Sequence, residues 1–480
     1  MERTAASRRR VRRPPGPSGV AVLGGLLLRR DPLTLIDHVV REHHRLAYVR
    51  LGSEHVYLLS HPDLVHELFV TRGRQLRKGR ALERIRLLLG DGLLTSEGER
   101  HRAQRRLIQP ALHGDRLATY LPVMVATARR YDRRWRDGSE IDMAREMSTL
   151  TLEVVGRALF GSDLTDIADP VASALGTLLD GSPRHLLPGI DLLLRVRTPA
   201  QARLMRAVDT LDRIVREVIA RRRAAPAGTD LLATLLTQID DDTLVRDEAM
   251  TLLLAGHETT ATALTWTWWL LAKHPEVAAW LHEELDQVHL GHQGPDHTGC
   301  SGATDQQATN LATRAGPPAA VTRPGPSALL DRLPRTRAVL AEAMRLRPPS
   351  WILGRRTLCD VELDGWTLPA GSLCVASQWA LHRDPRFWSE PESFQPQRWL
   401  TPDGHFDESA PGQPRAAYLP FGLGARICVG LAFAWTEGTL VLATLARRWA
   451  PTPVPGQVVT PRPAVTLRPS AMRMVLRART

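Results

Sequence analysis

Apolar residues recur at helical spacing along much of the chain between about residues 32 and 288. Residues 201–223 place apolar side chains every three or four positions and arginines on the other face, which predicts an amphipathic helix. Asp247 and Glu248 begin another helical pattern that runs to about Ala272, and acidic residues favour a helix start. Its middle is apolar on nearly all sides, so we expect this helix to lie buried through the centre of the protein.

The pattern changes in the C-terminal part. Residues 289–327 are rich in Gly, Pro, Thr, Ala and Gln without apolar periodicity, which indicates a flexible surface insertion. Residues 359–377 hold short β-prone runs broken by Gly and Pro, as a small sheet would. The expected fold is therefore mainly α with a small β-rich portion. It comprises a basic, Pro-rich lead-in over residues 1–31 and a single domain over residues 32–480.

The composition is that of a globular chain with a basic balance. Its 480 residues are 43% hydrophobic, which supports a sizeable core. The formal net charge of +12 would permit contact with nucleic acid or an anionic surface. The arginines are mostly dispersed, however, and no motif that combines basic and aromatic residues accompanies them, so we expect no nucleic-acid partner.

The N-terminal region imitates a targeting signal. The apolar run at residues 19–28 is too short to span a bilayer, and Arg29, Arg30 and Asp31 follow it without a small-residue cleavage site. We therefore expect no transmembrane segment. Four cysteines without CxxC spacing indicate a reducing compartment. Cytoplasmic residence is the expectation, and peripheral membrane contact stays open.

The apolar central helix contains the polar sequence AGHETT at residues 255–260. Gly256 weakens the helix by about 1 kcal/mol relative to Ala, but it allows another group to approach the backbone closely. The Thr259 hydroxyl can bond back to a helix carbonyl, and Glu258 in an apolar surround needs a partner or becomes protonated. These residues predict a proton-delivery groove, with a kinked helix and a solvated acid as the alternative.

Two sequence patterns resemble metal sites. His257 and Glu258 begin the zinc-protease pattern HExxH, but position 261 is Ala, so the second histidine is missing. A His- and Cys-rich tract of the kind that can bind zinc also occurs in the predicted insertion. It comprises His289, His292, His297 and Cys300. Its spacing fits no zinc finger, and a loop without a metal role is the simpler interpretation.

A glycine-rich loop with a single cysteine, FGLGARICVG, matches the pattern F-x-x-G-x-R-x-C-x-G at every fixed position. Those positions are Phe421, Gly424, Arg426, Cys428 and Gly430. The loop resembles the haem-binding signature of the cytochrome P450 family. The resemblance implies that Cys428 is the metal ligand, a thiolate that pushes electron density into the haem iron. It also implies that Arg426 pairs a haem propionate, that Phe421 shields the sulfur, and that the two glycines leave room for the porphyrin.

An E-x-x-R pair supports the same resemblance. Glu342 and Arg345 are three residues apart and therefore on one helix face. The later sequence FQPQRW supplies Arg398 and Trp399, as in the P-x-R-W segment of the family. The resemblance implies a buried structural triad of Glu342, Arg345 and Arg398.

Two further motifs are similar to the family's. AGHETT looks like its oxygen-activation motif, which implies Thr259 and Glu258 as catalytic residues with Ala255 and Gly256 beside the haem. His101 and Arg105 match the H-x-x-x-R of an early basic helix that contacts the haem propionates. Arg355 stands where a further propionate arginine is usual, although the adjacent Arg356 leaves that assignment open.

The resemblance implies a cytochrome P450 fold, with haem b held between the Thr259 helix and the Cys428 loop, and a monooxygenase reaction. The sequence carries no pattern for a flavin or iron–sulfur domain, so a separate ferredoxin and ferredoxin reductase are the expected electron donors. The expected substrate is an apolar small molecule, terpenoid- or fatty-acid-like. The pocket residues expected from motif position are Leu254, Ala255, Trp351, Ile352 and Leu353. A peroxide-driven haem enzyme and a non-catalytic haem protein are the alternatives.

Overall fold

The computed structural model describes residues 12–27, 31–181, 198–225, 228–288, 326–409 and 412–479. Helices dominate these ranges, as the sequence predicts. They are α1 (Gly19–Leu27), α2 (Pro32–Glu42), α3 (Pro62–His66), α4 (Arg80–Leu89), α5 (Gly98–Ile108), α6 (Gly114–Arg134), α7 (Met143–Leu159), α8 (Ala168–Gly181), α9 (Pro199–Ala224), α10 (Leu231–Gln238), α11 (Asp242–Lys273), α12 (Pro275–Gln287), α13 (Pro326–Leu330), α14 (Pro334–Leu346), α15 (Gln378–Leu381) and α16 (Leu431–Ala446).

The strands are short and form small sheets, which confirms the predicted minor β portion. They are β1 (Leu46–Leu51), β2 (Glu54–Leu59), β3 (Leu76–Lys78), β4 (Glu140–Asp142), β5 (Leu353–Thr357), β6 (Val361–Leu363), β7 (Trp366–Leu368), β8 (Leu373–Ala376), β9 (Thr452–Pro453), β10 (Pro461–Pro463), β11 (Leu467–Pro469) and β12 (Arg473–Val475). The largest sheet has the order β1-β2-β8-β5-β3. Its β2–β8 pair is parallel, and its other pairs are antiparallel.

A β-hairpin lies near the start of the mainly helical region. β1 and β2 form an antiparallel hairpin inside the region from residue 32 to 288, where helical patterns dominate, and the short strands β3 and β4 lie in it as well. Gly52, with a φ of 62°, occupies the two-residue turn between the strands. A Gly-containing two-residue turn between short apolar runs is a hairpin signal that sequence reasoning overlooked.

The predicted central helix is α11, and its observed start differs from the prediction. It begins at Asp242, because the Asp241 side chain caps it by accepting the N–H groups of Thr243 and Leu244 at 2.9 and 3.3 Å. Asp247 and Glu248 lie inside the helix and are buried. The predicted burial of the helix along most of its length is confirmed.

The close packing of α11 against α7 occurs at a glycine. A Cβ atom at Gly256 would lie 3.2 Å from the Val155 side chain, so an alanine there would require this side chain to shift by a few tenths of an ångström. Thr151 of α7 donates a hydrogen bond to the His257 carbonyl at 3.1 Å. The element that packs closely against Gly256 is therefore α7. This contact helps to position the neighbouring residues of α11.

Some predictions fall outside the described ranges. Residues 289–325 of the predicted insertion are among them, together with the tract His289, His292, His297 and Cys300. The last two residues of the insertion belong to α13. In the N-terminal lead-in, α1 spans Gly19–Leu27. Among the helices that the structure describes, none combines the length and apolar character that a bilayer span requires.

Candidate active site

A cavity of about 1070 Å³ separates the middle of α11 from the glycine-rich cysteine loop. One wall carries Ala255, Gly256, Glu258 and Thr259, and the opposite wall carries Cys428. All of the predicted pocket residues line the same cavity. They are Leu254, Ala255, Trp351, Ile352 and Leu353. The structure therefore gathers motifs from distant parts of the sequence around one space.

The cysteine loop is held in shape by its own backbone. The Cys428 N–H donates to the Phe421 carbonyl at 2.9 Å, and the Ile427 N–H donates to the Gly424 carbonyl at 3.0 Å. The Phe421 ring lies 5.8 Å from the Trp435 ring, centroid to centroid. The loop thus presents the Cys428 side chain to the cavity from a hydrogen-bonded turn.

The Cys428 thiol is accessible from the cavity and yet lies deep in the protein. Burial raises the pKa of this thiol, and the Gly430 N–H and the Arg105 guanidinium oppose that rise in part. A thiol in this setting stays protonated at neutral pH unless a cation stabilises the thiolate. A bound metal does so, which suits Cys428 to be a metal ligand.

The two signature glycines occupy different surroundings. Gly430 lines the cavity, as expected for a residue that leaves room for a macrocycle. Gly424 has a φ of 67°, and a Cβ atom there would lie 2.6 Å from the Phe69 carbonyl oxygen. Gly424 lies outside the cavity lining, and its role towards the porphyrin stays a prediction. It is required by its left-handed backbone and by the neighbouring segment Glu67–Thr71.

Five basic side chains cluster along one part of the cavity wall. They are Lys78, His101, Arg105, Arg355 and Arg426. Arg355 lies directly opposite Lys78 in the antiparallel pair of β3 and β5, which places both side chains on one face of the sheet. Arg105 donates to the Ile427 carbonyl at 2.7 Å and so joins α5 to the cysteine loop.

The choice between Arg355 and Arg356 is visible in their contacts. Arg355 is directed at the cavity. Arg356 points to the other face, where it pairs with Glu54 at 3.0 Å and donates to the Gly371 carbonyl at 2.6 Å. The alternation of side chains along β5 separates the two arginines. Arg355 is therefore the arginine placed to meet a ligand in the cavity.

The basic cluster carries more positive charge than its own carboxylates neutralise. Burial and the neighbouring cations lower the pKa of His101 to about 3, that of Lys78 to about 7 and that of Arg355 to about 10. Glu97 pairs with Arg426 within the cluster. Such a group is stabilised by added negative charge. The two carboxylates of haem fit this part of the cavity, and the Cys428 sulfur fits its iron.

Lys78 was missed by sequence reasoning. It donates to the Leu93 and Ser96 carbonyls at 2.8 and 2.6 Å, and only 6% of it is exposed. Its position depends on the pairing of β3 with β5, two strands that lie more than 270 residues apart in sequence. No local sequence motif predicts that these two strands pair.

Thr259 and Glu258 have different partners on the cavity wall. The Thr259 hydroxyl donates to the Ala255 carbonyl at 2.9 Å, as a threonine within a helix can. One oxygen of Glu258 accepts a hydrogen bond from the Thr466 hydroxyl at 3.1 Å and forms an ion pair with Arg468 at 2.9 Å. The partner that an acid in this apolar helix requires is thus Arg468 of β11, which sequence reasoning also missed.

The structure also brings together Glu342, Arg345 and Arg398. Arg345 donates to both oxygens of Glu342 at 2.8 Å, and Arg398 donates to one of them at 3.2 Å. The side chains of Glu342 and Arg345 are fully buried. Trp399 adds a hydrogen bond to Glu342 at 2.9 Å, a contact that the E-x-x-R pattern alone does not contain.

Comparison with known proteins identifies the class of fold and site. A family model described as Cytochrome P450 matches residues 14–301 and 322–474. Cyclooctatin synthase of Streptomyces melanosporofaciens is 36% identical over 470 residues, which cover 96% of this chain and 94% of the relative. Pentalenene oxygenase of Streptomyces avermitilis is 34% identical over 476 residues and 97% of each chain. The crystal structure of the cytochrome P450DA heme domain superposes with a TM-score of 0.79, at 25% identity over 98% of both chains.

The chain belongs to the cytochrome P450 family. The predicted family and fold are thereby confirmed, and the protein is a P450 monooxygenase. Membership implies a haem iron cofactor, a hydrophobic substrate and an external source of electrons. The family model leaves residues 302–321 unmatched, and these lie within the segment that composition marked as an insertion.

Proposed function

We propose that this protein binds haem b with Cys428 as the protein ligand of the iron. The single observation that carries the proposal is the position of Cys428 on the wall of a cavity that also holds the basic cluster. In this arrangement Arg105, Arg355 and Arg426 bind the propionates, while the apolar walls enclose the macrocycle. Haem bound there supplies the iron centre that activates dioxygen and transfers one oxygen atom to the substrate.

Glu258 and Thr259 of α11 deliver protons to the reaction in this proposal. Glu258 is held at the cavity by Thr466 and Arg468, and the Thr259 hydroxyl faces the same space. Glu258 therefore passes protons towards the Thr259 hydroxyl, and the surrounding apolar side chains exclude bulk water. The reaction inserts one oxygen atom into a C–H or C=C bond and reduces the other to water, with two electrons and two protons.

We assign the substrate to the terpenoid class. The part of the cavity lined by Leu254, Ile352 and Leu353 is apolar, and a mostly apolar lining is what pockets for such molecules use. Two relatives that span nearly the whole chain are named for cyclooctatin and pentalenene. These names favour a terpenoid over a fatty acid.

The proposed electron donors are a separate ferredoxin and its reductase, and the proposed location is the cytoplasm. A peroxide-driven reaction is the competing function. Glu258 and Thr259 both line the cavity, and an enzyme driven by peroxide has less need of a proton-relay pair. Peripheral membrane contact is compatible with either function.

The test is a spectral screen followed by turnover. Cyclic terpenoids and long-chain fatty acids are titrated into the ferric protein while the haem absorbance reports displacement of the sixth ligand. Each ligand that shifts the spectrum is then incubated with a reduced ferredoxin system or with hydrogen peroxide. We expect terpenoids to shift the spectrum and to be hydroxylated or epoxidised only in the ferredoxin arm. A response restricted to fatty acids, or turnover only with peroxide, contradicts the proposal.

A further inference from the structure

A short segment between α4 and α5 forms part of the cavity wall. We call residues 90–96 the wall segment; its Leu93 and Leu94 line the cavity. Buried charged side chains hold both backbone groups of Leu93. Glu248 accepts the Leu93 N–H at 2.9 Å, and Lys78 donates to the Leu93 carbonyl at 2.8 Å. Lys78 and Glu248, which are far apart in the sequence, thus both bind the backbone of Leu93.

The burial of these two charged groups is energetically expensive. Glu248 is 0% exposed and Lys78 is 6% exposed, and a buried charge is costly unless partners compensate for it. Burial raises the pKa of Glu248 to about 7 and lowers that of Lys78 to about 7. Among the described residues, one oxygen of Glu248 has no hydrogen-bond partner. Apolar residues would fill the same space without this penalty, so the pair has a role beyond packing.

Other contacts also anchor the wall segment. Asp247 accepts the Asp91 N–H at 2.6 Å, and Gln104 donates to the Asp91 carbonyl at 2.7 Å. A Cβ atom at Gly92 would lie 2.4 Å from the Thr251 hydroxyl oxygen, so the segment lies directly against α11. The wall segment is therefore held by polar contacts at defined points as well as by the burial of Leu93 in the core, and loss of the polar contacts removes that part of its anchoring.

We propose that Lys78 and Glu248 are specificity-determining positioning residues that latch the wall segment against α11. With the latch closed, Leu93 and Leu94 complete the cavity wall and limit the size of ligand that reaches the haem. With the latch open, the wall recedes and larger ligands enter. This inference rests on the proposed function, because it takes the cavity as the place where substrate meets the haem.

A matched control exists elsewhere in the chain. Glu284 of α12 is also a buried acid, 6% exposed, that accepts two backbone N–H groups, those of Arg335 at 2.6 Å and Thr336 at 2.9 Å. Glu284 lies outside the cavity lining. Glu284→Leu therefore removes the same kind of contact without touching the wall segment.

The test compares Glu248→Leu, Lys78→Met and Glu284→Leu in the haem-loaded protein. Hydrogen exchange of residues 90–96 reports opening of the latch. Stopped-flow haem absorbance gives the association rates of imidazole, a small ligand, and econazole, a bulky one. We expect both latch variants to speed exchange of the wall segment by about tenfold or more, the change that follows loss of a hydrogen bond to a charged group. The econazole-to-imidazole rate ratio should rise with it.

Glu284→Leu should lower the unfolding midpoint while both readouts stay at the wild-type value. Glu248→Gln, which keeps an acceptor oxygen and the side-chain volume, should show the same change to a smaller degree and covers the case in which Glu248→Leu fails to fold. The inference is overturned when the Glu248 variants match Glu284→Leu, or when exchange rises but the rate ratio does not. If neither azole binds the wild-type haem, the proposed function fails instead, and hydrogen exchange still tests the latch.

Discussion

Removal of the Glu342 carboxylate is the perturbation whose energetic effect the structure defines most fully. Glu342 accepts five hydrogen bonds, two from Arg345 at 2.8 Å and one each from Arg398 at 3.2 Å, Trp399 at 2.9 Å and the Gln395 N–H at 3.0 Å. Glu342→Ala breaks all of them at once. In the wild-type protein these bonds connect α14 to the segment around residues 395–399.

The magnitude follows from the burial of the arginine that remains. Arg345 is 0% exposed, and without Glu342 the hydrogen-bond acceptors left to its guanidinium among the described residues are backbone carbonyls. These are the carbonyls of His382, Pro391 and Ser393. Breaking a buried ion pair by removing one partner costs about 3–5 kcal/mol. Because folded proteins are stable by only about 5–15 kcal/mol, we expect Glu342→Ala to lose a large fraction of the free energy of unfolding.

The assay is denaturant unfolding, followed in parallel by the haem absorbance and by tryptophan fluorescence. Glu217→Ala is the control, because Glu217 forms an exposed pair with Arg221 at 2.5 Å on α9, and such pairs contribute about 0.3–0.5 kcal/mol. Glu342→Gln, which retains one acceptor oxygen, should fall between the two variants. A loss below about 1 kcal/mol for Glu342→Ala would refute the reasoning, since it would mean that the buried guanidinium is compensated without its carboxylate.

Three further predictions concern the haem side and pH. Gly424→Ala should lower haem content and stability more than Gly422→Ala, because both have positive φ but the new Cβ meets a carbonyl oxygen at 2.6 Å only at Gly424, against 4.0 Å at Gly422. Arg355→Gln should speed haem transfer to apomyoglobin more than Arg356→Gln, because Arg355 alone of the two lines the cavity. Burial lowers the pKa of His382 from 6.5 to about 3. Below pH 6.5 the unfolded chain therefore binds a proton at this histidine that the folded protein does not bind. Denaturant titrations should show the free energy of unfolding falling, as the pH is lowered, by up to about 1.4 kcal/mol per pH unit. His382→Gln should remove that share.

Each of these has a contrary outcome. Equal haem contents in the two glycine variants would show that the loop shifts to absorb the added methyl group. Faster haem transfer from the Arg356 variant would place the wrong arginine at the propionates. A His382→Gln variant with the wild-type pH slope between pH 6.5 and 4 would assign the acid sensitivity to other groups.

Much of the site was predictable because several of its functional residues occur in short motifs with fixed spacing. The Phe421–Gly430 loop and the E-x-x-R pair each span ten residues or fewer, so fixed positions in the sequence become fixed positions in space. The helix around Thr259 was predictable for the same reason. Its apolar surroundings made the acid and the two threonines stand out.

The remainder depends on contacts between distant parts of the chain. Lys78 reaches the basic cluster through the pairing of β3 with β5, and Arg468 reaches Glu258 across 210 residues of sequence. The pair Asp247 and Glu248 was expected to begin a helix. Both residues instead lie inside α11, where their carboxylates accept backbone N–H groups of the wall segment. Acidic residues are favoured at both kinds of position, and only tertiary packing distinguishes them.

The most direct test of the central claim is the spectrum of the reduced protein with carbon monoxide. The claim is that Cys428 binds the haem iron as a thiolate. Wild-type protein should give the red-shifted Soret band of a haem-thiolate complex, and Cys428→His should retain haem but give the band of an imidazole-ligated complex. A wild-type spectrum without the thiolate band, or a Cys428→His variant that keeps it, would contradict the account.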